Sequence, residues 1–142
     1  MARAHWLVKS EPFKYSWDDL VKDGSTYWDG VGNYQARNNL REMKIGDYAL
    51  YYHSNEGKEV VGIAKVTRSA YQDPTTDDDR WVVVDVAPVK PLKAPVTLAQ
   101  IKADPKLQQM PLVTHSRLSV MPIEKSDFER ILELGKIPPT RR

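Results

Sequence analysis

Apolar and polar positions change their spacing along the chain, and the changes mark its elements. His5 to Lys9 is a short apolar run that reads as a strand, with Trp6, Val8 and Ser10 on one face and Lys9 on the other. Ser16, with Asp19 three residues on, fits a helix N-cap, and Gly24 fits a stop, so a short first helix is expected between them. Asn33 is placed to cap a second helix reaching about Met43, in which Ala36, Leu40 and Met43 recur at helical spacing and face the core. Tyr48 to Ser54 is rich in aromatics and reads as a strand. Asn55-Glu56-Gly57 is a turn, and Val60 to Arg68 returns as the second arm of a hairpin.

Beyond a polar loop from Gln72 to Asp79, Trp81 to Val86 is the clearest strand, and Trp6, Trp81 and Leu118 are expected in the core. Pro88, Pro91 and Pro95 interrupt regular pairing and predict an edge or a bent strand. Thr97 to Gln100 and Ser126 to Glu129 each fit a capping box, the second opening a helix that ends near Gly135. Leu118 to Ile123 reads as a closing strand. Strands split by helices without βαβ regularity predict an α+β domain with a mostly antiparallel sheet. The expected organisation is one domain over residues 1–142, with 136–142 as a mobile tail.

The densest chemistry lies in Trp28-Asp29-Gly30-Val31-Gly32-Asn33-Tyr34-Gln35-Ala36-Arg37-Asn38. Trp28 and Tyr34 offer faces on which a ring can stack, while Asn33, Arg37 and Asn38 can read a base edge or hold a phosphate. Asn33, Arg37 and Arg41 follow at i, i+4 and i+8 and so share a helix face, beside backbone N–H groups that favour an anion. Core packing of Trp28 and Tyr34, with Asn33 as an ordinary cap, accounts for the same residues.

Composition narrows the function classes. A chain of 142 residues suits a single core, and 28% charged with 41% hydrophobic residues is ordinary for a globular protein. No segment approaches membrane-spanning length, and Met1 to His5 runs into the first strand without a signal-peptide pattern, so a cytoplasmic protein with no membrane partner is expected. The absence of cysteine excludes disulfides and thiolate chemistry. A net charge of +2, from 21 basic and 19 acidic residues, gives little general attraction to a polyanion, so any nucleic-acid contact must be local.

Enzyme signatures are poor. His5, His53 and His115 lack metal-ligand spacing, and the pairs His53-Ser54 and His115-Ser116 would point to opposite faces of a strand. Gly30 and Gly32 lack the third glycine of a dinucleotide fingerprint, and Gly57-Lys58 lacks the upstream glycine of a phosphate loop. The expectation is a protein that is not an enzyme and carries no cofactor and no metal.

Dispersed motifs agree in order: Trp6-Leu7-Val8-Lys9-Ser10-Glu11-Pro12, the Trp28 to Asn38 stretch, Tyr52-His53-Ser54-Asn55, Gly62-Ile63-Ala64 and Ser116-Arg117-Leu118-Ser119-Val120. Together they make the chain closely resemble the EVE domain of the PUA-like superfamily, from about Trp6 to Pro122, with a more distant likeness to YTH domains. That resemblance implies a curled, mostly antiparallel β-barrel flanked by helices, and a pocket for a modified base. It implies Trp28 as an aromatic wall and Asn33 and Asn38 as hydrogen-bonding groups. Lys9, Ser10, Arg37 and Arg117 would address polar or phosphate groups, with Tyr34, Tyr52, His53 and Ser54 completing the candidate set. Either Tyr52 or His53 lines the pocket in this reading while the other packs, and Arg117 fits a structural ion pair equally well. Gly32 stands where the family commonly has arginine, so a cationic contact is missing or the backbone approaches the ligand more closely.

The expected function is a non-enzymatic reader that accepts a methylated or hydroxymethylated base, foremost a modified cytosine, from DNA or RNA. A nucleoside- or metabolite-binding enzyme or sensor and a protein-interaction module are the alternatives. Because few phosphates can be neutralised, affinity for unmodified duplex DNA should be modest and its salt dependence shallow. Titrations across a salt series check this, and tight binding with a steep slope would overturn the local-pocket account.

Overall fold

The computed structural model describes residues 4–29, 34–115 and 118–137. The expected cap at Asn33, the candidate contact at Arg117, the substitution at Gly32 and the tail beyond Ile137 lie outside the described residues. The elements in chain order are β1 (His5–Ser10), α1 (Trp17–Asp23), β2 (Thr26–Trp28), α2 (Tyr34–Glu42), β3 (Tyr48–His53), β4 (Glu59–Gln72) and β5 (Val82–Thr97). After them come α3 (Leu98–Ala103), a 3-10 turn (Pro105–Leu107), α4 (Pro111–Thr114), β6 (Val120–Ile123) and α5 (Lys125–Leu134). Among the described residues, no helix is long and apolar enough to cross a membrane.

One sheet runs in the order β2-β5-β4-β3-β1-β6, and every pairing is antiparallel except β1 with β3. The sheet curls into a half-barrel around α2, which lies against β6 at one edge and against β4 and β5 toward the other. Asn39 of α2 is buried and donates its side-chain N–H to the Val120 carbonyl of β6 at 2.6 Å, with Gln35 donating in turn to Asn39. The inner core gathers Trp6, Val8, Trp17, Leu20, Trp28, Ala36, Leu40 and Tyr51. On the other face, Leu7, Leu50, Ile63, Ile101, Leu107, Phe128 and Ile131 form a second core under α3 and α5.

Local chemistry explains the elements. Ser16 and Asp19 form the expected capping box on α1, and Gly24 closes the helix at φ 82°, donating its N–H to the Leu20 carbonyl at 2.8 Å. Thr97 and Gln100 do the same for α3. The Trp6 indole and the Lys44 amide both donate to the buried Asp47 carboxylate, at 3.0 and 2.9 Å, tying β1 to the turn before β3. Ile137 is buried in the second core and its N–H bonds to the Leu132 carbonyl.

Several expectations need correcting. Ser126 caps nothing: α5 starts earlier, after Glu124 in extended conformation, so Ser126 lies within the first turn. The prolines of β5, by contrast, lie where expected, on an edge stretch of the strand that bends. Beyond Val86 its neighbour among the described residues is β4 alone, so a missing N–H costs no ladder bond on its open side, and it bulges, advancing from Val96 to Pro91 while β4 advances from Val60 to Gly62. Trp81 precedes β5 and is half-buried outside the core, while Leu118 is half-buried at its margin.

Gly62 of β4 is where a side chain has no room. A Cβ there would stand 2.6–2.7 Å from the benzo ring of Trp17, which is itself packed edge-on to Tyr51 with ring centroids 5.5 Å apart. Gly62→Ala should therefore destabilise the protein by about 1–3 kcal/mol, the range expected for overpacking. Urea denaturation checks this, and an alanine variant as stable as the parent would mean that the indole is free to retreat.

Candidate functional site

The parallel register of β1 and β3 pairs Lys9 with Tyr52 and Ser10 with His53. Because side chains alternate, the two pairs take opposite faces of the sheet. Ser10 and His53 join the inner face, with Trp6 and Val8. Lys9 and Tyr52 take the outer one, where the Lys9 ammonium stands 6.0 Å from the Tyr52 ring centroid. Burial lowers the Lys9 pKa and pushes the Tyr52 phenol up to about 12. Ser54 extends the parallel pairing by one step, its N–H bonding to the Ser10 carbonyl at 2.9 Å.

On the inner face the residues converge on Tyr51. Its fully buried ring meets Trp28 edge-on at 5.3 Å, Trp17 at 5.5 Å and the His53 imidazole at 5.8 Å. Its hydroxyl donates to the Tyr15 carbonyl at 2.8 Å, and the Ser10 hydroxyl donates to the same oxygen at 2.7 Å. Burial drives the Tyr51 pKa upward, which keeps the phenol a neutral donor. The Tyr15 phenol, raised to about 12 by burial and by its bond to Asp23, anchors the loop from the other side at 2.7 Å. Trp28 is 8% exposed, so its indole belongs largely to the packed core.

His53 has a defined protonation state. The Trp17 backbone N–H donates to its Nε2 at 3.0 Å, so that nitrogen carries a lone pair and the proton of the neutral ring sits on Nδ1. Desolvation lowers the His53 pKa, outweighing the opposing charges of Glu59 and Asp18. The ring therefore offers an N–H donor without a charge.

The remaining candidates form a separate group. Tyr34, Arg37 and Asn38 lie on α2, where the Tyr34 ring stacks on Trp81 and the Arg37 guanidinium lies over both rings while donating to the Asn38 side-chain oxygen. Thus Ser10, Trp28 and His53 come together, Lys9 and Tyr52 pair on the far face, and Tyr34, Arg37 and Asn38 sit together at the surface. Sequence reasoning passed over Tyr15, Trp17, Tyr51 and Ser119. The glycine at 62 within a strand was a signal for a large neighbour such as Trp17. Ser119 Oγ is shielded from solvent and has no hydrogen-bond partner among the described residues, next to the point where the Ser119 carbonyl accepts the Lys9 N–H at 2.9 Å.

Among the described residues, no cluster of three or more His, Asp or Glu could hold a metal. The sequence profile of the EVE domain matches residues 4–134. The chain belongs to the EVE domain family. This EVE domain is similar to an Agrobacterium tumefaciens protein of known crystal structure, with 45% identity and a TM-score of 0.93 over 98% of this chain and 99% of that one. It is also similar to human thymocyte nuclear protein 1, at 35% identity over 96% of this chain and 76% of the relative's full length. The crystal structure of that human protein in complex with DNA containing 5-methylcytosine superposes with a TM-score of 0.86, covering 96% of this chain and 99% of that one. The YTH domain of a Zygosaccharomyces rouxii protein, at 18% identity and a TM-score of 0.60 over 99% of this chain and 88% of that one, shares the PUA-like fold.

The burial of His53 makes stability depend on pH. Its folded pKa lies below the ordinary 6.5, so as pH falls through that value the unfolded chain takes a proton that the folded protein refuses. The stability due to neutral His53 is whole above 6.5 and declines as the pH drops from there toward the lowered folded pKa. His53→Gln, which keeps an acceptor near Nε2 but does not titrate, should lose less stability than the parent between about pH 7.5 and about pH 5.5. Urea midpoints at the two pH values test this, and equal losses would remove His53 as the source.

Proposed function

We propose that this EVE domain is a non-catalytic module that binds nucleic acid and takes one modified base, foremost a methylated or hydroxymethylated cytosine, against the inner face of its curled sheet. The observation that carries the reading is the likeness, across nearly the whole chain, to the human protein crystallised with 5-methylcytosine-containing DNA. The groups on this face suit a base. Trp28 supplies aromatic surface, His53 an uncharged N–H donor and Ser10 a hydroxyl oxygen that can still accept, so a base edge can be read by hydrogen bonds without a buried charge to desolvate. Asn33 and Arg117 remain candidates on their sequence motifs, for a further base contact and a phosphate contact. Lys9 and Tyr52, on the outer face, are read as supporting the strand ends.

A binding screen tests the reading. Duplexes of one sequence carrying cytosine, 5-methylcytosine or 5-hydroxymethylcytosine should separate by at least about five-fold in Kd, roughly 1 kcal/mol. Equal affinity for all three would sink base reading, and binding of the free nucleoside at the strength of the duplex would favour a metabolite sensor. Trp28→Ala should weaken binding of the preferred base by about 1–3 kcal/mol if the indole stacks on it. Since that indole is also packed, the variant should cost about 3–5 kcal/mol of stability, so Trp28→Phe, which keeps a ring, is measured beside it. Unchanged affinity in both folded variants would take Trp28 out of the site.

A further inference from the structure

The sequence places Trp81 in the core, yet its ring sits outside it, stacked on Tyr34 at 5.2 Å with an interplanar angle of 21°. Tyr34 is 54% exposed, an unusual position for a large aromatic that also carries a guanidinium: Arg37 lies 4.9 Å from its centroid and 5.7 Å from that of Trp81. The arrangement is held from two independent sides. Arg37 is fixed by donation to Asn38, and Arg41, one turn on, donates to the Arg80 carbonyl at 3.1 Å, joining α2 to the loop before β5. Within that loop, the Gln72 side-chain amide donates to the carbonyls of Asp73, Thr76 and Asp78, and Asp73 accepts from both the amide and the hydroxyl of Thr75. Trp81 is thus presented by a loop with little freedom left, so a partner stacking there would meet a surface already in place.

The charges around it decide what kind of partner fits. Arg80 is consumed by Asp78, its Nη2 at 2.7 Å from the carboxylate, and the same loop carries the exposed Asp77 and Asp79, so the guanidiniums of Arg37, Arg41 and Arg80 are matched in number by the carboxylates of this loop. Such a surface offers stacking and local guanidinium donors with little net charge, which suits unstacked nucleobases and one or two phosphates. Its place in the sheet fits as well. Trp28 pairs with Val84, three residues along the chain from Trp81, a backbone separation of roughly 10 Å at strand rise, within reach of nucleotides next to one held near Trp28.

We propose that Tyr34, Arg37 and Trp81 form a second subsite of this EVE domain, a stacking platform for the nucleotides that flank the recognised base. The proposal rests on the nucleic-acid reading given above, but it gives the platform a separate role, which is to hold the strand whatever the state of the base.

The test uses the full chain and two single-stranded 12-mers of about equal composition, one with a central 5-methylcytosine and one with cytosine, each with 2-aminopurine beside that position. Tyr34→Ala and Trp81→Ala should weaken binding of both strands by the same factor, roughly five- to hundred-fold, leaving the ratio between the two strands as in the parent. The quenching of 2-aminopurine on binding should be lost in Trp81→Ala and kept in Trp81→Tyr. Arg37→Gln should lower the salt slope by about one. Circular dichroism and melting confirm that each variant is folded, and Tyr34, being exposed, can be removed at little structural cost if Trp81→Ala unfolds. Unchanged affinity for both strands in folded Tyr34→Ala overturns the platform, and so does a parent that binds neither strand. A parent that binds both strands equally, and loses both in the platform variants, overturns base reading alone and leaves the platform standing.

Discussion

The parallel pairing of β1 with β3 is the constraint on which the rest of the molecule depends. Parallel neighbours cannot be joined by a tight turn, so the chain must leave β1 after Ser10 and travel far before it comes back beside it at Tyr48. That excursion carries α1, β2 and α2, and with them Trp17, Trp28, Tyr34 and Arg37. The same register then sets which strand-end residues meet. Ser10 faces inward beside His53, and Lys9 faces outward beside Tyr52, so one choice of pairing both creates the inner face and populates it.

Around that face the polar groups are mostly spent on one another. The Tyr15 carbonyl receives two hydroxyls, the Trp17 amide gives its hydrogen to His53, and the Asn39 amide clasps α2 to β6. Satisfied groups of this kind position neighbours without competing for a ligand. Ser119, opposite outward-facing Lys9 in the register, is different: its Oγ is shielded and has no hydrogen-bond partner among the described residues.

Much of the architecture was legible in the sequence wherever local chemistry decides the outcome. The capping residues of α1 and α3, the Gly24 stop and the Asn55 to Gly57 turn all rest on interactions within a few residues, and all are present. The family motifs carried the curled sheet, which no local pattern dictates. What remained illegible depended on distant partners. The three-residue β2 exists through its pairing to β5, Ser126 lost its capping role because α5 began sooner, and Trp81 is drawn from the core by a stack with Tyr34, far away along the chain. For the site, the chain showed which residue types were gathered but not how three spatial groups divide them, since that division follows from the β1–β3 register.

The prolines along the outer strands bear on how copies of the molecule meet. An open sheet edge presents a row of backbone donors and acceptors that a second chain can extend, the first step of aggregation. Here β5 meets its open stretch with Pro88, Pro91 and Pro95, which have no N–H to give, and the Ala94 N–H between them is already taken by the Gly135 carbonyl. At the opposite margin β6 is four residues long and contains Pro122, and the exposed end strand β2 is only three residues long. Neither border offers an uninterrupted template, so a sheet left unclosed by its own curvature is kept from growing by intermolecular strand addition.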